Sequence, residues 1–416
     1  MCTIYEELQA LSPVCRSLLN IIQKNGPLTF ADLMETLGIG RSKLQSMMSQ
    51  LLKLGVIREQ GYSESTGGRR SILYDVNCTD FFLVGISIGS ARYGVCVANL
   101  KNQCIAFSEF QMNNQLGPRE LAEKVHQEAE FLALQNGLSP EQFFGVGLDI
   151  SGSVDCENGI LLRQEAQAFR QDWVGAPLRK ILENEFRLPA AVDAYISMQT
   201  LEQYYYGYGK DSTRLLVVTC GMGLGAGFLD RGRVVRSINN MGNSFAHMTL
   251  DMDGRKCMCG NYGCLDSYSS ARAIIQQVTQ KIKTGAPSSL SGELEDLSIS
   301  KIIQAAKQGD LLARSELNYA ALVLGIGLAN YIRLVAPDTV ILMGLIVSQM
   351  PEYGETAIES AKKRLNSEAR PGGTPTFIQL NKWERTGIDG SAMFIERLLN
   401  PDEEIPIKVE SRTSQL

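Results

Sequence analysis

The chain has 416 residues, with 40 Lys and Arg against 45 Asp and Glu and a formal net charge of -5. Hydrophobic residues make up 44% and charged residues 20%, the balance of a globular protein with a sizeable core rather than of a disordered or fibrous chain. The sequence shows no run of about 18 uncharged apolar residues, which argues against a membrane span. Residues 1–7 lack the basic and apolar segments of a secretory leader, so a cytoplasmic protein is expected. Ten cysteines are too few for a disulfide framework at this length. Seven are scattered singly and read as reduced, mostly buried thiols. The other three, Cys257, Cys259 and Cys264, crowd into eight residues.

Residues 1–80 read as a separate domain. Val14, Leu18, Ile21 and Ile22 recur at helical spacing, and Asn25-Gly26-Pro27 stops that helix. Thr29 and Asp32 form a capping-box pattern before Leu33, Met34 and Leu37. After the Gly38-Ile39-Gly40 turn, Leu44, Met47, Met48, Leu51 and Leu52 make an apolar helical stripe. Two helices joined by a turn of this kind predict a helix-turn-helix. The polar face of the last helix carries Arg41, Ser42, Lys43, Gln45, Ser46 and Ser49, residue types that contact phosphates and base edges. Strands near 56–58 and 71–76, with the loop 61–70 ending in Arg69 and Arg70, predict a wing. Residues 38–70 hold six Lys or Arg against two acids, a local +4 within an acidic chain and the footprint of a nucleic-acid surface. The bland alternative is a small helical dimerisation domain with a solvated polar face.

From residue 81 the pattern changes to buried strands. Residues 82–89, 93–98 and 105–107 read as a meander, 120–135 as a helix and 144–150 as a further strand. A strand at 214–219, a glycine series at 221, 223, 225 and 227, and a short strand at 233–235 repeat that order about 130 residues later. A long helix at 311–335 and a strand at 339–344 follow. This predicts an α/β body of two similar lobes, 81–210 and 211–400, and a loosely ordered tail at 401–416. The glycine series lets backbone approach a phosphate or sugar closely, although glycines also serve simple turns.

Cys257-Met258-Cys259-Gly260-Asn261-Tyr262-Gly263-Cys264 places three thiols on a glycine-rich loop. His247, one of only two histidines, lies ten residues before it. One His and three Cys is a ligand set of closed, tetrahedral structural zinc sites. Four protein ligands leave no open position for catalysis. Three buried free thiols, or a redox pair, are the alternatives.

The winged helix-turn-helix ending in Gly67-Gly68-Arg69-Arg70, the duplicated body and the run Cys257-x-Cys259-Gly260-x-x-Gly263-Cys264-Leu265-Asp266 together resemble the ROK family of bacterial transcriptional repressors and sugar kinases. The resemblance covers residues 14–400. It implies an actin-like fold of the sugar kinase and ribonuclease-H-like ATPases, and one zinc on His247, Cys257, Cys259 and Cys264. It also implies sugar contacts at Gly152, Asp193, His247 and Asp266. The departures from the kinase pattern are specific. Ser87-Ile88-Gly89-Ser90-Ala91 stands where Asp-x-Gly-Gly-Thr is usual, and Gly221-Met222-Gly223 where Gly-Thr-Gly is usual. Asp193-Ala194-Tyr195-Ile196-Ser197 replaces Glu-Asn-Asp-Ala-Asn, so Tyr195 stands at the base. Ser244-Phe245-Ala246-His247 replaces Glu-x-Gly-His. Phosphoryl transfer needs an acceptor for the sugar hydroxyl proton, and a tyrosine of reference pKa about 10 stays protonated at pH 7.

The expected protein is therefore a DNA-binding regulator, a repressor of carbohydrate-related genes, with a catalytically dead sensor body. Its partners would be a double-stranded DNA operator, a sugar or sugar-derived effector and at least a second copy of the chain. An ATP-dependent carbohydrate kinase with an appended domain, and a regulator whose body docks another protein, are the competing readings.

Overall fold

The computed structural model describes residues 4–64, 70–89, 92–113, 115–164, 170–236, 245–365, 373–382 and 388–399. It divides into two compact units, residues 1–198 with 385–416, and residues 199–384.

The first unit begins with the head. Helix α1 (Ile4–Gln9) precedes α2 (Pro13–Asn25), which has Ser12 as N-cap and Pro13 at its first position. Strand β1 (Leu28–Thr29) leads into α3 (Phe30–Leu37). The Thr29–Asp32 capping box is present, and Gly38 at φ 60° ends α3 in the left-handed conformation that glycine tolerates. Helix α4 (Arg41–Lys53) follows, and strands β2 (Ile57–Tyr62) and β3 (Ile72–Val76) close a small sheet in the order β1-β3-β2. Leu18, Ile22, Leu33, Leu44 and Leu51 are fully buried at its centre. This is the winged helix-turn-helix that the periodicity predicts.

The first lobe contains β4 (Phe82–Ile88), β5 (Arg92–Asn99), β6 (Cys104–Gln111), α5 (Pro118–Gln135) and β7 (Phe143–Ile150). It continues with the hairpin β8 (Gly152–Asp155) and β9 (Ile160–Gln164), then α6 (Leu178–Phe186) and β10 (Ala190–Ala194). Its sheet runs β10-β7-β4-β5-β6, with β4–β6 antiparallel and β7 and β10 parallel to β4. Side chains alternate between the faces. Val84, Ile86, Val95, Val97, Val146 and Leu148 pack with Leu121, Val125 and Leu182 of α5 and α6. The opposite face is lined by small residues, among them Gly85, Gly145 and Gly147.

Helix α7 (Tyr195–Tyr205) leads to β11 (Arg214–Cys220), β12 (Leu224–Asp230) and β13 (Arg233–Val234). Then come α8 (Asp266–Ser269), α9 (Ala271–Lys283), α10 (Ile299–Lys307), α11 (Leu311–Val335) and β14 (Thr339–Met343). Helices α12 (Leu345–Gln349) and α13 (Pro351–Leu365) and strand β15 (Thr376–Gln379) complete the second unit. Its sheet runs β13-β12-β11-β14-β15. In order of appearance both sheets read third, second, first, fourth, fifth strand, with the same parallel and antiparallel pairings, so the duplication inferred from strand order is real. Helix α11 is long and apolar enough to cross a membrane by length and composition, although the sequence shows no uncharged apolar run of that length. Its Leu317, Ala321, Leu324, Leu328 and Ile332 are fully buried in the core of the second unit.

The last described helix, α14 (Ile388–Leu399), changes the expected boundaries. Residues 211–400 were expected to form one lobe, yet α14 belongs to the first unit and lies on the small-residue face of its sheet. Phe394 sits over Gly145, and Gly390 passes so close to Gly147 that a Cβ on either would overlap the other's backbone. The break between units likewise falls after Met198 rather than at 210. Residues 401–416, expected to form the tail, lie outside the described residues.

Candidate functional site

Burial of Leu44, Met47, Met48 and Leu51 fixes which side of α4 faces the head's core. Arg41, Ser42, Lys43, Gln45, Ser46 and Ser49 are all exposed on the remaining surface. The helix carries Arg41, Lys43 and Lys53 and no acid. Its N-cap, Gly40, offers no side-chain cap, so the first-turn N–H groups remain open to an anion. Arg70 is exposed at the end of the wing; Arg69 lies outside the described residues. Arg58, counted in the local positive charge, instead donates from Nη1 to Thr79 Oγ1 at 3.1 Å.

The cysteine loop is folded by its own backbone. Cys257 N donates to Asn261 O, Gly263 N to Arg255 O and Leu250 N to Gly263 O, each at 2.8 Å. Gly263, at φ 66°, has no room for a Cβ beside Asp251, so the turn that presents Cys264 requires glycine. The Arg255 guanidinium lies 4.7 Å from the Tyr268 ring centroid and 5.6 Å from that of Tyr319, fastening the loop to α8 and α11. One ligand atom from each of His247, Cys257, Cys259 and Cys264 falls within 4.8 Å of all the others. His247 Nδ1 is 3.6 Å from Cys257 Sγ, and Cys259 Sγ is 3.7 Å from Cys264 Sγ. Zinc bonds of about 2.3 Å to sulfur and about 2.0 Å to nitrogen in a tetrahedron put ligand atoms about 3.5–3.8 Å apart. The four residues named from sequence are thus brought together at the spacing of a metal centre. Burial, then the neighbouring thiols, pushes the Cys264 thiol up to about 12. Ionising Cys264 here is therefore favoured by a nearby cation.

The positions carried over as sugar contacts have structural partners. Asp193, at the end of β10, is ion-paired with Arg397 of α14 at 2.5 Å, with side chains 3% and 2% exposed. Its Oδ1 also accepts from Ala194 N. Asp266 accepts from Leu224 N at 3.0 Å through Oδ1 and from Arg272 Nη2 at 2.6 Å through Oδ2. Gly152, at φ 144°, packs where a Cβ would strike the backbone of Arg163 across the β8–β9 hairpin. Ser87, at the position of the usual phosphate-loop acid, donates to the buried Asp149 Oδ1 at 2.7 Å. Tyr195 starts α7 and is buried. Ser244 lies outside the described residues.

Only Gly221 and Gly223 sit in the turn between β11 and β12; Gly225 and Gly227 are ladder residues opposite Thr219 and Val217. The turn is held by Ala271 N, which donates to Gly221 O at 2.9 Å. Sequence reasoning missed Arg397 and Arg272, the cations that engage the two carboxylates. Their partners are distant in the chain or on an adjoining short helix, and neither lies in a recognisable motif.

Comparison with known proteins agrees with this architecture. A family model described as ROK family matches residues 83–397, and one described as winged helix-turn-helix DNA-binding matches residues 16–58. A xylose repressor of Caldicellulosiruptor bescii is 26% identical over 356 residues, 85% of this chain and 87% of the relative. The DNA-binding transcriptional dual regulator NagC of Escherichia coli is 25% identical over 359 residues, 84% and 83%. Among solved structures, a ROK family transcriptional regulator homologous to the E. coli MLC protein superposes with a TM-score of 0.77 at 21% identity, covering 95% of this chain and 97% of that one. A ROK family glucokinase from Streptomyces griseus, in complex with glucose and AMPPNP, superposes at 0.64 and 23%, covering 75% and 98%. The fold is accordingly a duplicated actin-like α/β body preceded by a winged helix-turn-helix.

Proposed function

The chain belongs to the ROK family, and from that premise we infer that it is a DNA-binding transcriptional regulator, a repressor of carbohydrate-related genes. The observation that carries this is the exposed, acid-free face of α4, on a head joined to a ROK body. Arg41, Ser42, Lys43, Gln45 and Ser46 enter the major groove, and Arg69 and Arg70 follow the backbone or minor groove. Operator half-sites mirror protein two-fold symmetry, so the working form is a homodimer or a larger even assembly, acting in the cytoplasm. The effector is a sugar or sugar derivative. Xylose and N-acetylglucosamine are the first to test, because the relatives are xylose repressors and N-acetylglucosamine repressors.

The body does not transfer phosphoryl groups. Tyr195 replaces the base, Ser87 is bonded to Asp149, and Asp193 is held by Arg397. His247, Cys257, Cys259 and Cys264 hold one structural zinc.

Fluorescence anisotropy with DNA from upstream of the protein's own gene tests the reading. Arg41→Ala and Lys43→Ala should each weaken binding and lower the slope of log affinity against log salt by about one. Addition of the effector sugar should release the DNA. Unchanged affinity in both variants removes this face from the interface. Phosphorylation of hexoses or N-acetylhexosamines from ATP, abolished by a change in the body, restores the kinase reading.

A further inference from the structure

Cys96 and Cys104 stand on neighbouring antiparallel strands. The ladder between β5 and β6 pairs Val97 with Ala106 and then Ala98 with Cys104, so β6 carries one extra residue at Ile105. A bulge re-aims the side chains beyond it. Without it, Cys104 would point to the other face; with it, Cys104 shares a face with Ala98 and hence with Cys96. The result is a thiol pair with the Cys96 Sγ donating to Cys104 Sγ at 3.4 Å. Cys96 is fully buried, whereas Cys104 is exposed on the outermost strand. The bond from Cys96 draws the Cys104 thiol below its ordinary value, while the same bond and burial raise Cys96. An accessible attacking thiol backed by a buried resolving thiol is the arrangement of a redox-responsive pair.

The turn between these cysteines is also the seat of the head. Gln23 Nε2 of α2 donates to Leu100 O at 3.0 Å. Lys101 Nζ donates to Gly26 O at 2.7 Å and pairs with Asp75 of β3 at 2.7 Å. Asn102 Oδ1 accepts from Ser391 of α14 at 2.7 Å. Every one of these contacts is made by the segment that Cys96 and Cys104 bracket.

We propose that Cys96 and Cys104 form a redox-active dithiol that hydroperoxides convert to an intrachain disulfide, altering the seat of the DNA-binding head. The Cys104 thiolate attacks the terminal peroxide oxygen. The O–O bond breaks, and the leaving oxygen takes a proton and departs as alcohol or water. The Cys96 sulfur then attacks the resulting sulfenic acid; the S–S bond forms, the S–O bond breaks, and the departing hydroxide leaves as water with the Cys96 proton. Two thiols and one hydroperoxide thus give one disulfide, one alcohol (water, for hydrogen peroxide) and one water. Closing from 3.4 Å to about 2.0 Å draws the two strand ends together and shifts the turn they frame. Any consequence for DNA binding rests on the proposed role of the head, whereas disulfide formation does not.

Full-length, metal-loaded protein is treated with hydrogen peroxide, alkylated and digested with trypsin without reductant. Cleavage after Arg92, Lys101 and Arg119 leaves Cys96 on peptide 93–101 and Cys104 on peptide 102–119. A reductant-sensitive species joining these two peptides is expected, formed about tenfold faster than oxidation of Cys15 or Cys78. Cys104→Ser should abolish it. Cys96→Ala should leave Cys104 as a sulfenic acid trapped by a 1,3-diketone, so either variant reports even if the other folds poorly. Hydrogen exchange in residues 13–29 and 72–76 should change on oxidation in the wild type and not in Cys104→Ser. Zinc release, followed in parallel, separates this event from damage at the cysteine loop. Peptides 93–101 and 102–119 that stay separate while other thiols oxidise overturn the dithiol; a disulfide with unchanged exchange overturns its link to the head.

Discussion

The two five-stranded sheets share one strand order and differ in what holds them. The first is sandwiched: aliphatic side chains meet α5 and α6 on one face, and small residues admit α14 on the other. Helix α14 is then anchored by charge. Arg397 pairs with Asp193 and Glu396 with Lys24 of α2, and three of these four side chains are nearly inaccessible. Tyr5 of α1 and Phe394 approach with ring centroids 6.0 Å apart. One helix therefore fastens both the head and the end of β10. The second sheet packs Leu216, Val218, Val340 and Leu342 into a core shared with α9, α11 and α13. Beside it stands an irregular loop, residues 245–265, whose fold rests on backbone bonds, the Arg255 stack and the His–Cys cluster. A duplicated topology thus fixes the strands while leaving each half its own local device: a helix anchored by buried ion pairs in one, an irregular loop carrying a His–Cys cluster in the other.

Chelating the proposed zinc should separate the two halves most sharply. Structural zinc supplies on the order of 10 kcal/mol of apparent binding energy to the segment it folds. The protein should purify with about one zinc per chain, and Cys264→Ser or prolonged chelation should remove it. Proteolysis should then cut within residues 245–265 while the first unit stays protected. Cys220→Ser, buried in β11 away from the cluster, should leave the metal content unchanged. Protein never exposed to chelator that carries well under one equivalent, with all three loop thiols titratable, returns the cluster to the buried-thiol reading.

The corresponding break in the first half is Arg397→Ala. It leaves the Asp193 carboxylate buried without its ion-pair partner, a loss of about 3–5 kcal/mol for pairs of this kind. The second unit should be affected far less. Asp193→Asn in the same chain should recover part of the loss by removing the stranded charge. If Asp193 instead reaches ligand when the cation is removed, Arg397→Ala will change sugar affinity beyond the change in stability, and calorimetry separates the two effects.

The parts legible in sequence were those written in local patterns. The capping box of Thr29 and Asp32, the apolar stripe of α4, the 25-residue helix α11 and the clustering of His247 with the three loop cysteines each depend on residues close in the chain. What escaped depends on long-range pairing. Nothing near residues 388–399 signals that this helix belongs to the first unit, because its partners Lys24, Asp193 and Gly147 are hundreds of residues away. A trace was present in the alternation of glycine on one face of β4 and β7, at 85, 145 and 147. A strand face without side chains is a place for close helix packing, but the glycines do not name the helix that fills it. Asp193 and Asp266 were named for sugar contact by resemblance; the cations that engage them, Arg397 and Arg272, became visible only in three dimensions.

The smallest expected effect sharpens the contrast between buried and exposed anchoring within the second unit. Asp310 caps α11, accepting from Ala313 N at 2.9 Å, and also gathers Ser288 and Ser289 through their hydroxyls and the Ser289 amide. Burial, the largest single influence, raises its carboxyl, but the combined hydrogen bonds outweigh it and hold the group down at about 2. A carboxylate depressed in the folded state contributes stability that is fully present above its unfolded value of about 3.9 and is lost as pH falls toward 2. Because the site is only partly shielded from solvent, the magnitude follows that of ordinary helix caps, about 1 kcal/mol, rather than the full shift. Asp310→Ala should therefore reduce hydrogen-exchange protection of the first turn of α11 by roughly fivefold at pH 7. Asp310→Asn keeps a good cap without the titration, so its difference from wild type should shrink as pH falls from 4 to 2. A difference that persists unchanged at pH 2 would show that shape rather than charge holds this turn, making the helix cap as insensitive to acid as the apolar packing of α11 behind it.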